Sequence, residues 1–158
     1  MADYVTPVVF TLNGEYFGVD IACVQSIERD INYVVVPNSM PFISGIVNLR
    51  GEVIPLYSLK KKFNMDNSSK CDNAIVVSLP NVKIAIEVDN VENFSDISAD
   101  NIVDMPMIVK QKDETEYLDR VAHVDGKLII LLDIVKILSD EEAESVREFA
   151  DKMNEKGN

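Results

Sequence analysis

The feature that most constrains the fold is a similarity between two hairpin-like segments. The run VVFTLNGEYFGVD places an Asn-Gly turn between two alternating apolar strands, which is a strong β-hairpin signal. The run AIVVSLPNVKIAIEVD has the same outline at a constant offset of 67 residues, so that Val9 falls on Val76 and Phe17 on Ile84. A fixed long-range register of this kind predicts an internal duplication.

A second match follows in the same chain order. The run VNLRGEVIPLYSL (47–59) lies over AHVDGKLIILLDI (122–134) at an offset of 75 residues. Because both matches keep the same order along the chain, two related halves are favoured over the alternative, a chance alignment of β-patterned segments. We therefore predict a mainly β fold with two small five-stranded barrels, because closure removes exposed strand edges. The approximate subdomains are 8–66 and 72–138, and an exchange of strands between them is left open.

Helices are predicted at few places. Ser139 and Glu142 have capping-box spacing, which indicates that a C-terminal helix and tail occupy residues 139–158. The segments IACVQSI (21–27) and VDNVENF (88–94) have apolar residues three or four apart, which predicts one or two helical turns in each. The polar run MDNSSKCDN (65–73) is interpreted as a loop between the halves.

Composition excludes several classes of function. The net charge is −12, which argues against binding to nucleic-acid backbones or anionic membrane surfaces. Apolar residues make up 47% of the chain, which is typical of a globular protein, and no stretch is long enough for a membrane helix. The N-terminus does not resemble a secretory signal. The two cysteines are distant from each other and fit reduced thiols in the cytoplasm.

No catalytic constellation is found in the sequence. The single histidine, His123, lies within a strand pattern and is interpreted as a structural or surface residue. We expect Asp89 and Asp133 to cap short helices, and the three lysines at 60–62 to form a solvated face. The sequence has no nucleophile elbow, glycine-rich phosphate loop or metal-ligand spacing, so we predict a non-enzymatic protein without cofactor or metal.

Arg50 is the most informative single residue. Hairpin turns of two residues need a positive φ at both positions, which favours Asn-Gly or Asp-Gly over Arg-Gly. The counterpart of Arg50 in the second half is Asp125, which is the residue type the turn prefers. Two interpretations stay open: a surface arginine in a local salt bridge, or a contact residue for an acidic or polar partner.

The chain resembles the CheW-like family of chemotaxis coupling proteins over nearly its whole length. The segments that carry the resemblance are FTLNGEYFGVDIACVQSI, VPNSMPFISGIVNLRGEVIPLYSL, IAIEVDNV and YLDRVAHVDGKLIILLDIVKIL. The resemblance implies two intertwined, five-stranded SH3-like barrels. It also implies a cytoplasmic adaptor, recruited to membrane receptor arrays, that links the cytoplasmic tips of transmembrane chemoreceptors to the regulatory domain of the CheA histidine kinase.

The resemblance also implies a set of receptor- or kinase-binding residues. By position these are Val24, Gly45, Arg50, Ile75 and Phe94, to which we add Ile27 because a helical segment would place it one turn from Val24. Ordinary barrel core is the alternative interpretation of Val24, Ile27 and Phe94, since a groove for an amphipathic helix uses the same residue types.

The sequence departs from the family pattern at three positions. Ser26 stands where an acidic residue is common, so either Glu28 takes its place or partner preference differs. Ser58 replaces an aspartate and Ala85 replaces a glycine. A small barrel that binds an oligonucleotide or a small ligand is the alternative from another functional class, and the acidic composition argues against the nucleic-acid version of it.

Overall fold

The computed structural model describes residues 4–36, 40–68, 70–80, 82–92, 96–104 and 118–156. These residues form mostly short strands, which confirms the predicted mainly β fold class. The strands are β1 (Tyr4–Val5), β2 (Pro7–Leu12), β3 (Glu15–Asp20), β4 (Val24–Glu28), β5 (Tyr33–Val34), β6 (Ile43–Leu49), β7 (Glu52–Ser58), β8 (Asn73–Ser78), β9 (Lys83–Val88), β10 (Asn90–Glu92), β11 (Ile97–Ser98), β12 (Ile102–Asp104), β13 (Leu118–Val124) and β14 (Lys127–Leu132). The helices are α1 (Leu59–Lys62) and α2 (Asp140–Lys156), and 3-10 turns occur at Ile21–Cys23, Ala99–Asn101 and Ile134–Lys136.

The chain divides into two compact units. Unit 1 consists of Met1–Val24 and Asn90–Ile137. Its described strands form a six-stranded sheet in the order β10-β2-β3-β14-β13-β12, and β1 pairs with β11. Within the sheet β2 and β3 form an antiparallel hairpin, whereas β3 and β14 run parallel. A buried cluster in this unit comprises Val9, Ile97, Ala122, Ile129 and Leu131.

Unit 2 consists of Gln25–Asp89 and Leu138–Asn158. Its described strands form a second six-stranded sheet in the order β4-β8-β9-β7-β6-β5, in which β7 and β9 run parallel. Helix α2 packs against β7. A buried cluster in this unit comprises Ile31, Val47, Ile54, Leu56, Ala74, Val76 and Ala85. Burial of such side chains is the main force that stabilises a fold of this size.

The internal similarity found in the sequence holds in the strand register. Residues related by the offsets of 67 and 75 make the same cross-strand pairs. The equivalent pairs are Phe10–Phe17 with Val77–Ile84, and Val47–Ile54 with Ala122–Ile129. The two sheets therefore repeat one hairpin arrangement.

Each unit combines hairpins from both sequence halves. The parallel pair of unit 1 joins β3 from the first half to β14 from the second. In unit 2 the parallel pair joins β9 from the second half to β7 from the first. Residues 63–72 connect α1 to β8, and both of these elements belong to unit 2.

The predicted C-terminal helix is confirmed, together with its capping box. The backbone N–H of Glu142 donates to Ser139 Oγ at 3.1 Å, and the N–H of Ser139 donates to Glu142 Oε1 at 3.3 Å. These reciprocal bonds satisfy amides that the first helical turn leaves without partners. Val146 is fully buried on this helix, whereas Phe149 and Met153 are half-buried.

The two short helical predictions were wrong over most of their length. In the first segment a 3-10 turn covers only Ile21–Cys23, and Val24–Glu28 is a strand. In the second segment Asn90–Glu92 is a strand as well, while residues 93 and 94 lie outside the described residues. Apolar spacing of three resembled a helix, but pairing of each segment along a neighbouring strand determined its conformation.

Candidate partner-binding site

The β6–β7 turn has the backbone geometry predicted for it. Arg50 has a φ of 52° and Gly51 a φ of 87°, and the equivalent turn in unit 1 has 49° at Asp125 and 78° at Gly126. The N–H of Gly51 donates to Asn48 Oδ1 at 3.1 Å and so closes the turn. Left-handed backbone is costly for a residue with a long side chain, so Arg50 occupies a position that an Asp or Asn would fill with less strain.

Arg50 forms a paired salt bridge with Glu28 on β4. Its Nη2 lies 3.0 Å from Glu28 Oε2, and its Nη1 lies 3.5 Å from Oε1. The Arg50 side chain is 69% exposed, whereas that of Glu28 is 18% exposed. The hydrogen bonds from Arg50 hold the pKa of Glu28 below its usual value. The local salt bridge is thus present, and the Arg50 side chain stays largely exposed.

The alternation of β4 separates two of the predicted contact residues. Val24 and Glu28 lie on one face of the strand with Ser26, and both are half-buried. Ile27 lies on the opposite face and is 40% exposed. The expectation that Ile27 stands one helical turn from Val24 was therefore wrong, because the segment is a strand. Glu28 supplies the carboxylate that pairs with Arg50.

Gly45 is a close-approach residue rather than an exposed contact. It is buried within β6, beside an irregularity in the pairing with β7. A Cβ atom at this position would overlap the carbonyl group of Val34 and would also press on the Tyr33 ring. Glycine at this position thus allows β5 to approach β6, and a substitution here would act through the backbone.

The two remaining predicted contacts are Ile75 and Phe94. Ile75 lies in β8 with a fully buried side chain, so it presents no surface to a partner. Any effect of Ile75 on binding must pass through the packing of the sheet. Phe94 lies outside the described residues.

The lysine run after β7 contains a buried ion pair. Lys60 is 1% exposed, and its Nζ lies 2.9 Å from Asp89 Oδ1. The Sγ of Cys71 donates to the same oxygen at 3.4 Å. The prediction of a solvated lysine face was wrong for Lys60, and Asp89 binds this lysine instead of capping a helix. Burial raises the pKa of Cys71 to about 12, so the thiol stays protonated.

The prediction that Asp133 caps a short helix was also wrong. Asp133 occupies the N-cap position of the Ile134–Lys136 turn but makes no side-chain cap bond there. Ser58, which replaces the family aspartate, is the residue that caps: its Oγ accepts from the N–H of Lys61 at 3.2 Å. A hydroxyl at this buried position satisfies the first turn of α1 without burying a charge.

Other features of the described residues bear on the functional class. No group of three or more His, Cys, Asp or Glu side chains is placed to hold a metal ion in the described ranges. His123 is exposed on β13. Unit 2 contains a polar cleft of about 410 Å³ whose lining includes Tyr33, Lys60, Lys70 and Glu87. Among the helices that the structure describes, none has the length and apolar character needed to cross a membrane.

Comparisons with known proteins agree with this arrangement. The CheW-like domain family model matches residues 7–142. Chemotaxis protein CheW of Klebsiella aerogenes is 34% identical over 136 residues, which cover 85% of this chain and 81% of that protein. Chemotaxis protein CheW of Bacillus subtilis is 26% identical over 140 residues, which cover 87% and 89%. The crystal structure of scaffolding protein TtCheW from Thermoanaerobacter tengcongensis superposes with a TM-score of 0.75 at 30% identity, covering 87% of this chain and 89% of that one. By sequence and by fold, the chain belongs to the CheW-like family.

Proposed function

We propose that this protein is a non-enzymatic chemotaxis adaptor that couples chemoreceptors to the CheA histidine kinase. It acts in the cytoplasm at membrane receptor arrays, where it binds the cytoplasmic receptor tip and the regulatory domain of the kinase. The observation that carries the proposal is Arg50: an exposed cation, oriented by Glu28, on a turn where the equivalent residue is Asp125. The names of the related proteins, which are chemotaxis and scaffolding proteins, support the same function.

The mechanism is mass action and geometry. An adaptor with two binding surfaces raises the effective concentration of one partner near the other, and a receptor state that changes this geometry biases the kinase. No bond is made or broken by the adaptor, so no catalytic residue is required.

The predicted contact residues take different parts in this proposal. Arg50 supplies charge, while Ile27 offers exposed apolar surface and Val24 contributes a half-buried one. Gly45 and Ile75 act through the backbone and the core because both are buried. Phe94 keeps its place in the proposed set through the family resemblance.

Arg50→Asn tests the role of the cation without harming the turn. Asn-Gly is the preferred turn sequence, and the relief of backbone strain should offset the loss of the exposed pair with Glu28, so the variant should be about as stable as the wild type. Loss of an exposed interface arginine should weaken binding to the receptor tip or to the kinase domain by roughly tenfold, as measured by isothermal titration calorimetry. Arg50→Glu should have a larger effect on binding and should still fold.

Asp125→Asn is the matched control, because it changes the equivalent turn of unit 1 to the same residue. It should leave both affinities unchanged. Equal affinities of the Arg50→Asn variant and the wild type for both partners would remove Arg50 from the site. Tight binding of an oligonucleotide at low salt would instead favour the alternative of a nucleic-acid-binding barrel.

A further inference from the structure

On the side away from β6, the first half of strand β7 has no strand neighbour among the described residues. Strand β7 pairs with β9 only from Leu56 to Ser58. In a hairpin with a two-residue turn, the two residues on either side of the turn are hydrogen-bonded to each other. Along each antiparallel strand, every second residue points its N–H and C=O groups away from the partner strand. Val53 therefore directs its N–H and C=O groups away from β6, and Pro55 directs its C=O group the same way. Pro55 has no N–H to offer β9, which explains why the parallel ladder stops beside it.

Asn154 of helix α2 takes the place of the missing strand. Its Oδ1 accepts from the N–H of Val53 at 2.9 Å, and its Nδ2 donates to the C=O of Val53 at 3.1 Å. The second N–H of the same amide donates to the C=O of Ala150 at 2.8 Å, which fixes the side chain on its own helix. One side chain thus satisfies both backbone groups of a residue 101 positions away in the sequence.

The contact continues from Val53 to the turn that carries Arg50. Val53 lies opposite Asn48 in the β6–β7 ladder. The side chain of Asn48 accepts the N–H of Gly51 at 3.1 Å, and Gly51 follows Arg50 directly. A contiguous series of hydrogen bonds and one cross-strand pair therefore joins α2 to the turn. Such a series couples the helix to the turn only if removing the bonds at Asn154 alters the turn.

We propose that Asn154 is a positioning residue for the partner-binding turn, through which helix α2 fixes the backbone that presents Arg50. The C-terminal helix would then control partner affinity without itself being a contact surface. The expected effect on partner affinity rests on the proposed function, whereas the expected effect on the turn concerns unit 2 alone.

Amide hydrogen exchange tests the structural part. Asn154→Ala removes both bonds to Val53, so exchange at the Val53 and Gly51 amides should accelerate by about fivefold or more relative to the wild type. Lys152→Ala is the matched control, because Lys152 is an exposed residue of the same helix. It should change neither amide. Unchanged exchange at Gly51 in the Asn154→Ala variant would overturn the inference.

Affinity for the receptor tip and the kinase domain tests the binding part. With both variants more than about nine-tenths folded, loss of stability alone lowers apparent affinity by only about a tenth. A loss of about fivefold in the Asn154→Ala variant, absent in Lys152→Ala, would therefore report on positioning. If Gly51 exchange rises while affinity stays at the wild-type value, the inference is wrong although Arg50→Asn still weakens binding. If the wild type binds neither partner, the proposed function fails, and the exchange data still decide whether Asn154 holds the turn.

Discussion

Replacing Lys60 with methionine should destabilise unit 2 more than any other lysine substitution in α1. Methionine keeps most of the buried volume but removes the ammonium group that lies 2.9 Å from Asp89 Oδ1. Breaking a buried ion pair typically costs 3–5 kcal/mol, because the remaining charge has lost its partner. The Asp89 side chain is 22% exposed, so water replaces part of the lost interaction, and we expect about 3 kcal/mol. With a slope of about 2 kcal/mol per molar urea, the unfolding midpoint should fall by about 1.5 M.

Two further variants make the Lys60 prediction specific. Lys61→Met changes the exposed neighbour and should alter the free energy of unfolding by less than about 0.5 kcal/mol. The double variant Lys60→Met with Asp89→Asn removes both charges and should recover a large part of the loss, since no unpaired charge then stays in the site. Urea unfolding followed by circular dichroism measures all three. A Lys60→Met protein as stable as the Lys61→Met protein would refute the reasoning.

Two other predictions concern the backbone and the acid sensitivity of the candidate site. Gly45→Ala should lower the free energy of unfolding by about 3 kcal/mol, as measured in urea, because the added methyl meets the backbone of Val34. Gly18→Ala is the control and should lower it less, because its methyl meets side-chain atoms. Equal losses in the two variants would contradict this explanation. Glu28 has a lowered pKa in the folded state, chiefly through its hydrogen bonds with Arg50, so its ionised form stabilises the fold above about pH 4.3 and this contribution is lost as the pH falls through the lowered value. The stability difference between wild type and Glu28→Gln should therefore be present at about pH 7 and shrink towards about pH 2; a difference that does not change with pH would show that the carboxylate charge has no part in it.

Local sequence patterns predicted the hairpins well. Turn residues and alternation fix a hairpin over a dozen positions, so the registers at offsets 67 and 75 agree with the observed cross-strand pairs. The positive φ at Arg50 and the capping box at Ser139 also follow from local chemistry. The parallel pairs β3–β14 and β7–β9 did not follow, because pairing between distant hairpins leaves no periodic signal in either one.

The wrong predictions concern residues whose conformation or burial is determined by partners distant in the sequence. Val24 and Ile27 have helical spacing, but β4 pairs with β8, and the period of two then places them on opposite faces. Lys60 belongs to a run that is typical of solvated surface, and nothing near it in the sequence indicates that Asp89 approaches from 29 residues away. Asn154 likewise has no local signal for its bonds to β7.

Co-sedimentation with the receptor tip and the kinase, separately and together, tests the adaptor function most directly. Two compatible surfaces predict that each partner binds alone and that the receptor tip brings down more kinase when the adaptor is present. The Arg50→Asn variant should bring down less kinase than the wild type, and Asp125→Asn should match the wild type. Mutually exclusive binding of the two partners, or binding of neither, would contradict the account.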